Sequence, residues 1–154
     1  ETYDKHHTFT FASEDKVFAS GNTKLIIDFK GWKICPLICY DLRFPVWARN
    51  TENYDLLLYV ASWPSPRINA WDTLLKARSI ENMSYTIGVN RVGSDVNNYI
   101  YPGHSSAFDC LGNELCNSKN NEEVLIINLD KEYQESIRNR FGFLNDKDFF
   151  QLGN

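Results

Sequence analysis

The sequence predicts an α/β fold in which strands and helices alternate within one layered domain. Two nearly continuous apolar runs, 54–61 and 85–92, are typical of strands that are buried on both faces of a sheet. Between these runs, side chains from Trp71 to Asn82 recur at helical spacing, which predicts a helix over residues 67–83. A strand, a helix and a second strand in succession are typical of layered α/β architectures.

The elements of the N-terminal third follow from turn signals and short apolar runs. Lys30-Gly31 separates two such runs and predicts a hairpin of strands over residues 24–29 and 32–38. A tight polar segment follows the second strand and leads into Phe44-Pro45. A short helix is therefore expected over residues 42–50.

The elements of the C-terminal third are shorter. Gly, Asn, Asp and Pro dominate residues 93–104, which predicts a loop. Strands are expected over residues 105–109 and 124–129, and a helix over residues 131–140. The aromatic tail 141–150 lacks a clear period, and such a tail suits a contact between subunits.

Charge and cysteine usage limit the classes of partner and site. The net charge of −4 argues against a nucleic acid or an anionic membrane surface as a partner. No run approaches the ~18 consecutive apolar residues that predict a membrane span. The four cysteines form neither a dense disulfide framework nor a metal-binding pair, so we expect a cytoplasmic protein without a metal.

Cys39 is the candidate nucleophile. It ends an apolar run and precedes the predicted helix, and a turn between strand and helix exposes a side chain whose thiol pKa the helix dipole is expected to lower. The alternative is a structural role, because cysteine is among the most buried residue types. Cys35 lies four residues before Cys39 on the same predicted strand, so both side chains should point to one side of the sheet. Along an extended strand the two residues are too far apart to form a disulfide easily.

A cysteine nucleophile needs a base and a group that stabilises an oxyanion. The chain has three histidines, His6, His7 and His104, and a papain-like arrangement would use one of them as the base. Lys5 offers an ammonium group to developing negative charge, and Glu14 offers a carboxylate. Taken singly, a surface lysine and a solvated loop acid are the more common interpretations of these two residues.

Several motifs occur in order along the chain. They occupy residues 3–7, 11–14, 20–22, 31–45, 60–64, 76–82, 88–93 and 103–106. Together they resemble the carbon–nitrogen hydrolase (nitrilase) superfamily over nearly the whole chain. The segments Cys39-Tyr40-Asp41-Leu42-Arg43-Phe44-Pro45 and Ser62-Trp63-Pro64 most resemble its omega-amidase branch.

The resemblance implies a Glu-Lys-Cys catalytic triad. Cys39 matches its nucleophile and Lys5 its lysine, while Glu14 matches a second glutamate that orients the lysine. Tyr40 is expected to stabilise the oxyanion through its backbone N–H. Trp63 is expected to line the acyl pocket, with a core or interface tryptophan as the alternative. The family's general-base glutamate precedes the lysine, so we expect this chain to begin after it.

The resemblance also implies a fold and a reaction. The fold is a four-layer α-β-β-α sandwich, and residues 1–154 are expected to be the C-terminal portion of a single domain. Such a portion would leave an open apolar sheet face, so we expect it to be stable only with the missing half. The reaction is hydrolysis of a small linear amide without a cofactor, and an omega-amide of a 2-oxo dicarboxylic acid is favoured.

Three further expectations accompany this interpretation. Family members pair, so the protein is expected to form a homodimer or a higher homo-oligomer. Asp41 and Arg43 are expected to form a structural ion pair, with Arg43 also a candidate contact for a substrate carboxylate. The alternative to an enzyme is a catalytically incomplete binding or scaffold module on the same fold.

Overall fold

A computed structural model describes residues 1–152 of the chain. Its strands are β1 Ile27–Phe29, β2 Trp32–Ile38, β3 Leu56–Ala61, β4 Tyr85–Asn90, β5 Val92–Ser94, β6 Ile100–Pro102, β7 Ser106–Phe108 and β8 Glu114–Asn117. Its α-helices are α1 Pro45–Ala48, α2 Ile68–Asn82 and α3 Lys131–Phe141. Single 3₁₀ turns cover Thr10–Ala12, Glu14–Lys16, Cys39–Arg43, Ser65–Arg67 and Phe143–Asp146.

The centre of the fold is a six-stranded mixed sheet in the order β1-β2-β3-β4-β7-β8. Strands β2, β3 and β4 run parallel. The flanking strands β1, β7 and β8 are antiparallel to their neighbours. Strands β5 and β6 form a separate two-stranded hairpin. The predicted α/β fold class is thereby confirmed.

Helix α2 packs on one face of this sheet and forms the core with it. In the sheet, Leu37 pairs with Tyr59 and Tyr59 with Gly88, so these three positions share the face that α2 covers. Glycine is required at position 88, because a Cβ there would lie 2.4 Å from a methyl carbon of Leu75. Close approach of the helix to the sheet buries Trp71 and Leu75 completely.

The opposite face of the sheet is apolar and open. Val60 on β3 and Val89 on β4 are each 48% exposed at paired positions of the register. This observation agrees with the expected open face. Within residues 1–152 there is one main sheet, so the second large sheet of a four-layer sandwich is not among the described elements.

The strand predicted over residues 124–129 is wrong. This segment pairs with no other strand of the described chain, and Val124 and Ile126 are 88% and 90% exposed. The run of apolar residues favours a strand, but a strand also needs a neighbouring strand with which to share its backbone hydrogen bonds.

Two other local predictions need correction. The loop predicted over residues 93–104 contains the β5–β6 hairpin, whose turn is closed by Asp95 through bonds from the backbone N–H groups of Asn97 and Tyr99. The helix predicted over residues 42–50 is divided into a 3₁₀ turn and α1. The division falls at Phe44, which is extended because it precedes Pro45.

The helix predicted over residues 67–83 corresponds to α2 within one residue at each end. Five of its residues are buried: Trp71, Leu75, Arg78, Ser79 and Asn82. No helix within residues 1–152 is both long enough and apolar enough to cross a bilayer.

Candidate active site

Cys39 occupies the turn that follows strand β2, the first of the three parallel strands. Its backbone has φ +46°, a left-handed conformation that costs a non-glycine residue of the order of 1–3 kcal/mol. The turn is held on both sides. The Asp41 carboxylate accepts a hydrogen bond from Ile38 N at 3.1 Å, and a guanidinium nitrogen of Arg78 donates to Leu42 O at 2.7 Å.

The prediction that Cys35 and Cys39 share one strand is wrong, because β2 ends at Ile38. Cys35 is fully buried in the core, whereas the left-handed turn directs the chain at Cys39 to the edge of a cleft. The two cysteines are therefore separated into a packing residue and a cleft residue. All four cysteines are free thiols.

Lys5 lies in the N-terminal segment and forms an ion pair with Glu14. The distance from Lys5 Nζ to Glu14 Oε2 is 2.5 Å, and the side chains are 16% and 29% exposed. The same oxygen accepts the backbone N–H of Phe9 at 2.9 Å. Glu14 is therefore fixed by its own segment and in turn fixes the ammonium group of Lys5.

Asp41 holds the segment on either side of Lys5. Its fully buried carboxylate accepts hydrogen bonds from Tyr3 Oη at 2.8 Å and from both His7 N and His7 Nδ1 at 2.9 Å. On the other side of the segment, Gly21 N donates to Lys5 O at 2.9 Å. The residue two positions after Cys39 thus controls where Lys5 lies.

The five residues predicted for the site line one open cleft of about 980 Å³. They are Lys5, Glu14, Cys39, Tyr40 and Trp63. Chain positions far apart in sequence meet there because the N-terminal segment crosses the carboxyl ends of β2 and β3. The cleft wall continues through Arg43, Arg67 and the hairpin residues Asp95 and Tyr101.

The electrostatics of Cys39 differ from the sequence-based expectation. Burial raises the pKa of its thiol, and this effect outweighs the positive charge of Lys5 and a backbone hydrogen bond at Ser62, which both lower it. Helix α1 begins only at Pro45, so Cys39 is not at an α-helix N-terminus. The expected lowering of the thiol pKa by a helix dipole is therefore wrong.

Trp63 belongs both to the cleft and to the core. It is 3% exposed, and its backbone N–H donates to Asn90 Oδ1 at 2.7 Å. The guanidinium carbon of Arg43 lies 5.0 Å from the centre of the Trp63 ring. The predicted Asp41–Arg43 ion pair is wrong, because Asp41 is bonded to Tyr3 and His7 instead.

The three histidines lie outside the cleft lining. The His6 ring stacks on Trp47 at 3.7 Å, and the His7 ring stacks on Phe44 at 3.6 Å. His104 Nδ1 bonds to the carboxylate of Asp72. A papain-like cysteine–histidine arrangement therefore has no support in residues 1–152.

Sequence reasoning missed Asp41 as the support of the lysine segment and missed Arg67 and Tyr101 in the cleft wall. No local pattern places the hairpin residues of 95–101 near Cys39. Within the described chain, no three His, Cys, Asp or Glu side chains converge to hold a metal.

Comparison with known proteins gives a consistent picture. The family model for carbon–nitrogen hydrolases matches residues 1–139. The chain is 44% identical over 151 residues to omega-amidase YafV of Escherichia coli, covering 97% of this chain and 59% of that protein. It is 32% identical over 146 residues to a 2-oxoglutaramate amidase of Bacillus subtilis, covering 94% of this chain and 56% of that protein.

The structural comparison agrees. A carbon–nitrogen hydrolase superfamily protein of Xanthomonas campestris, solved with an arsenic adduct in its active site, matches with a TM-score of 0.95 and 43% identity. The match covers 98% of this chain and 60% of that structure. The chain thus spans about three fifths of the length of these relatives.

Proposed function

The chain belongs to the carbon–nitrogen hydrolase family, and on that premise we propose that the intact protein hydrolyses a small linear amide and releases ammonia. The observation that carries the proposal is the Lys5–Glu14 ion pair in the same cleft as Cys39. A cysteine, a fixed ammonium group and a carboxylate around one cleft supply a nucleophile and an electrostatic partner for an oxyanion.

The first half of the reaction forms a thioester. A base takes the proton of the Cys39 thiol, and the thiolate attacks the amide carbon, so that a C–S bond forms and the carbonyl oxygen becomes an oxyanion. The ammonium group of Lys5 and the backbone N–H of Tyr40 stabilise this charge, which is larger in the transition state than in the substrate. The C–N bond then breaks, and the protonated base gives its proton to the departing ammonia.

The second half hydrolyses the thioester. The base takes a proton from water, and the oxygen attacks the acyl carbon. The C–S bond then breaks, which releases the acid, and the protonated base returns its proton to the sulfur and so regenerates the thiol. Glu14 is bonded to Lys5 and to Phe9 N, so in this proposal it orients the lysine. The base is assigned to the glutamate that the family carries before its lysine, outside the described residues.

The proposed substrate is an omega-amide of a 2-oxo dicarboxylic acid. Relatives called omega-amidase and 2-oxoglutaramate amidase support this choice, and Arg43 and Arg67 give the cleft two cationic side chains. The test is ammonia release by the intact protein from 2-oxoglutaramate, 2-oxosuccinamate, glutamine and simple nitriles. We expect the first two to be preferred and Cys39→Ala to abolish the release. Turnover that survives Cys39→Ala would refute the mechanism.

One observation favours a second candidate, a binding or scaffold module without catalysis. Burial raises the pKa of the Cys39 thiol, so without a base the nucleophile stays protonated at neutral pH. The two candidates differ in the same assay. A binding module would bind an omega-amide, seen by calorimetry, and release no ammonia over hours of incubation.

Assembly and location are also proposals. We infer a homodimer or a higher homo-oligomer that uses the aromatic tail, because Phe141 and Phe143 stack at 5.2 Å and are 40% and 56% exposed. Light scattering after gel filtration of the intact protein tests this, with Phe143→Ser expected to weaken assembly.

Four free thiols support a cytoplasmic location, and the net charge of −4 supports a partner other than nucleic acid.

A further inference from the structure

The arginines of the described chain fall into two groups. Most donate hydrogen bonds to protein oxygens; these are Arg49, Arg78, Arg91 and Arg138. The guanidinium groups of Arg43, Arg67 and Arg140 take part in no hydrogen bond or ion pair among residues 1–152, and of these three only Arg43 and Arg67 line the cleft. A guanidinium group carries five donors and a permanent charge, so an unpaired one in a cleft is suited to an anion.

The backbone at Arg67 is fixed in place. Arg67 ends the 3₁₀ turn before α2, and its carbonyl oxygen accepts a hydrogen bond from Trp63 Nε1 at 2.7 Å. Trp63 is itself tied to β4 through Asn90, which bonds both its N–H and its C=O. The side chain of Arg67 therefore starts from a rigid support, which lowers the entropy cost of binding a ligand.

Aromatic rings hold the Arg67 side chain. Its guanidinium carbon lies 5.3 Å from the ring centre of Phe9 and 6.0 Å from that of Phe11. The N–H groups of a guanidinium group point outward in its plane. A guanidinium group that stacks on a ring face can therefore still donate hydrogen bonds to a ligand. Phe9 in turn contacts the ring of Tyr40, with 4.7 Å between centres, so Arg67 lies two aromatic contacts from the nucleophile turn.

The acids of the cleft do not neutralise Arg67. Glu14 is bonded to Lys5, and Asp95 accepts hydrogen bonds from its own hairpin and from Tyr101 Oη at 2.9 Å. Asp4 also lines the cleft, but it forms no ion pair with Arg67. The positive charge of Arg67 is thus available to a ligand.

We propose that Arg67 binds the substrate carboxylate that lies at the end opposite the scissile amide, which rests on the proposed amidase function. Arginine pairs with a carboxylate through two parallel hydrogen bonds, and the surrounding rings limit screening by water. Arg67 fits this role better than Arg43, because Arg43 lies within the turn that begins at Cys39 and packs on the buried ring of Trp63. The site selects a monoamide of a diacid over a neutral amide.

The experiment compares succinamate with butyramide, in which a methyl group replaces the carboxylate. In the intact protein, Arg67→Met is expected to lower kcat/KM for succinamate by about 10²-fold more than for butyramide, mainly through KM. Arg67→Lys should restore part of the preference, because it keeps the charge without the two-point geometry. Arg140→Met is the matched control, since Arg140 packs on Phe141 outside the cleft and should keep the full preference.

A binding measurement separates this proposal from the amidase function. Calorimetry with 2-oxoglutarate, a diacid that has no amide to cleave, should show binding to the intact protein and to Arg140→Met but not to Arg67→Met. If no amide is hydrolysed and this pattern still holds, the amidase function fails and the carboxylate site stands. Three outcomes would overturn the carboxylate site. They are an equal loss of kcat/KM on both amides in Arg67→Met, 2-oxoglutarate binding that Arg67→Met leaves unchanged, and no 2-oxoglutarate binding by the intact protein.

Discussion

Asp41 and His7 are joined by two hydrogen bonds of 2.9 Å, one from the backbone N–H of His7 and one from its ring nitrogen Nδ1. Asp41 lies two residues after Cys39, and His7 lies two residues after Lys5. The same carboxylate also accepts the hydroxyl of Tyr3, two residues before Lys5. One buried carboxylate therefore bonds the segment of Lys5 to the turn that contains Cys39.

Replacing Asp41 should impair catalysis and stability together. Both carboxylate oxygens of Asp41 accept hydrogen bonds, and Asp41→Asn replaces one of them with an amide N–H₂ group, which cannot accept. A buried donor left without an acceptor lowers the free energy of unfolding by about 1–3 kcal/mol. We expect kcat to fall more than KM rises, because in the proposed mechanism Lys5 stabilises the transition state. Urea denaturation and steady-state kinetics of the intact protein measure the two effects.

The matched control for this variant is Asp28→Asn, at an exposed position of β1. It should leave stability and kcat close to those of the parent. A kcat in Asp41→Asn equal to that of the parent would show that Lys5 does not depend on this carboxylate.

Gly21 should be sensitive to a single methyl group. A Cβ at Gly21 would lie 2.2 Å from the carbonyl oxygen of Asp4, so the segment that carries Lys5 must move to admit alanine. Gly21 N also donates to Lys5 O, and this bond would be stretched. Gly21→Ala is expected to lower kcat by at least tenfold, whereas Asn22→Ala, at the exposed neighbouring position, should leave it within about twofold.

A double variant tests whether Gly21 acts through Lys5. Lys5→Met and Gly21→Ala should not lower kcat additively, because both act through the same ammonium group. Independent, multiplicative losses in the double variant would contradict the idea that Gly21 matters through the position of Lys5.

The sequence was sufficient for the elements whose periodicity is set by burial. Strand β2 and helix α2 were predicted within one residue at each end. Their apolar residues follow the spacing of a strand and of a helix, respectively. The sequence was not sufficient for residues 124–129, which form no strand in the structure. Strand formation there depends on a neighbouring strand and not on the segment itself. The β5–β6 hairpin was missed because polar turn residues hide its short strands.

The site divides in a similar way. Lys5, Glu14, Cys39, Tyr40 and Trp63 were placed by resemblance to a family, and the structure brings all five to one cleft. The support of that site by Asp41 is visible only in the folded chain, because hydrogen bonds across 34 and 38 residues leave no local pattern in the sequence. The same holds for the shift of the Cys39 thiol pKa, since the degree of burial decides its direction.

The stability of the N-terminal segment should depend on pH through His7. Burial lowers the pKa of His7 below its ordinary 6.5, and this outweighs the nearby Asp41 carboxylate, which raises it. Between the two pKa values, His7 therefore binds a proton in the unfolded chain but not in the folded chain. Stability from the neutral ring is complete above pH 6.5 and is lost as the pH falls from 6.5 toward the lower folded-state value.

Urea denaturation of the intact protein at pH 7.5 and at pH 5.5 measures this dependence. His7→Asn removes the titrating ring and keeps an N–H donor for Asp41, so its midpoint should change less between the two pH values. His104→Gln, at the bond to Asp72 outside the cleft, should retain the dependence of the parent. A parent whose stability rises on acidification through this range would contradict the assignment.

Alkylation of Cys39 should be slow at neutral pH and should accelerate as the pH rises past 9. Burial raises the thiol pKa above its ordinary 9.0, and the reactive species is the thiolate. The charge of Lys5 opposes that rise, so Lys5→Met should move the rate profile to still higher pH, while Lys5→Arg should move it less. Iodoacetamide labelling of the intact protein, followed peptide by peptide by mass spectrometry, separates Cys39 from the other three cysteines. A plateau already reached at pH 7 would mean that the thiol is ionised in the resting protein, and the general base would then have no proton to remove in the first step.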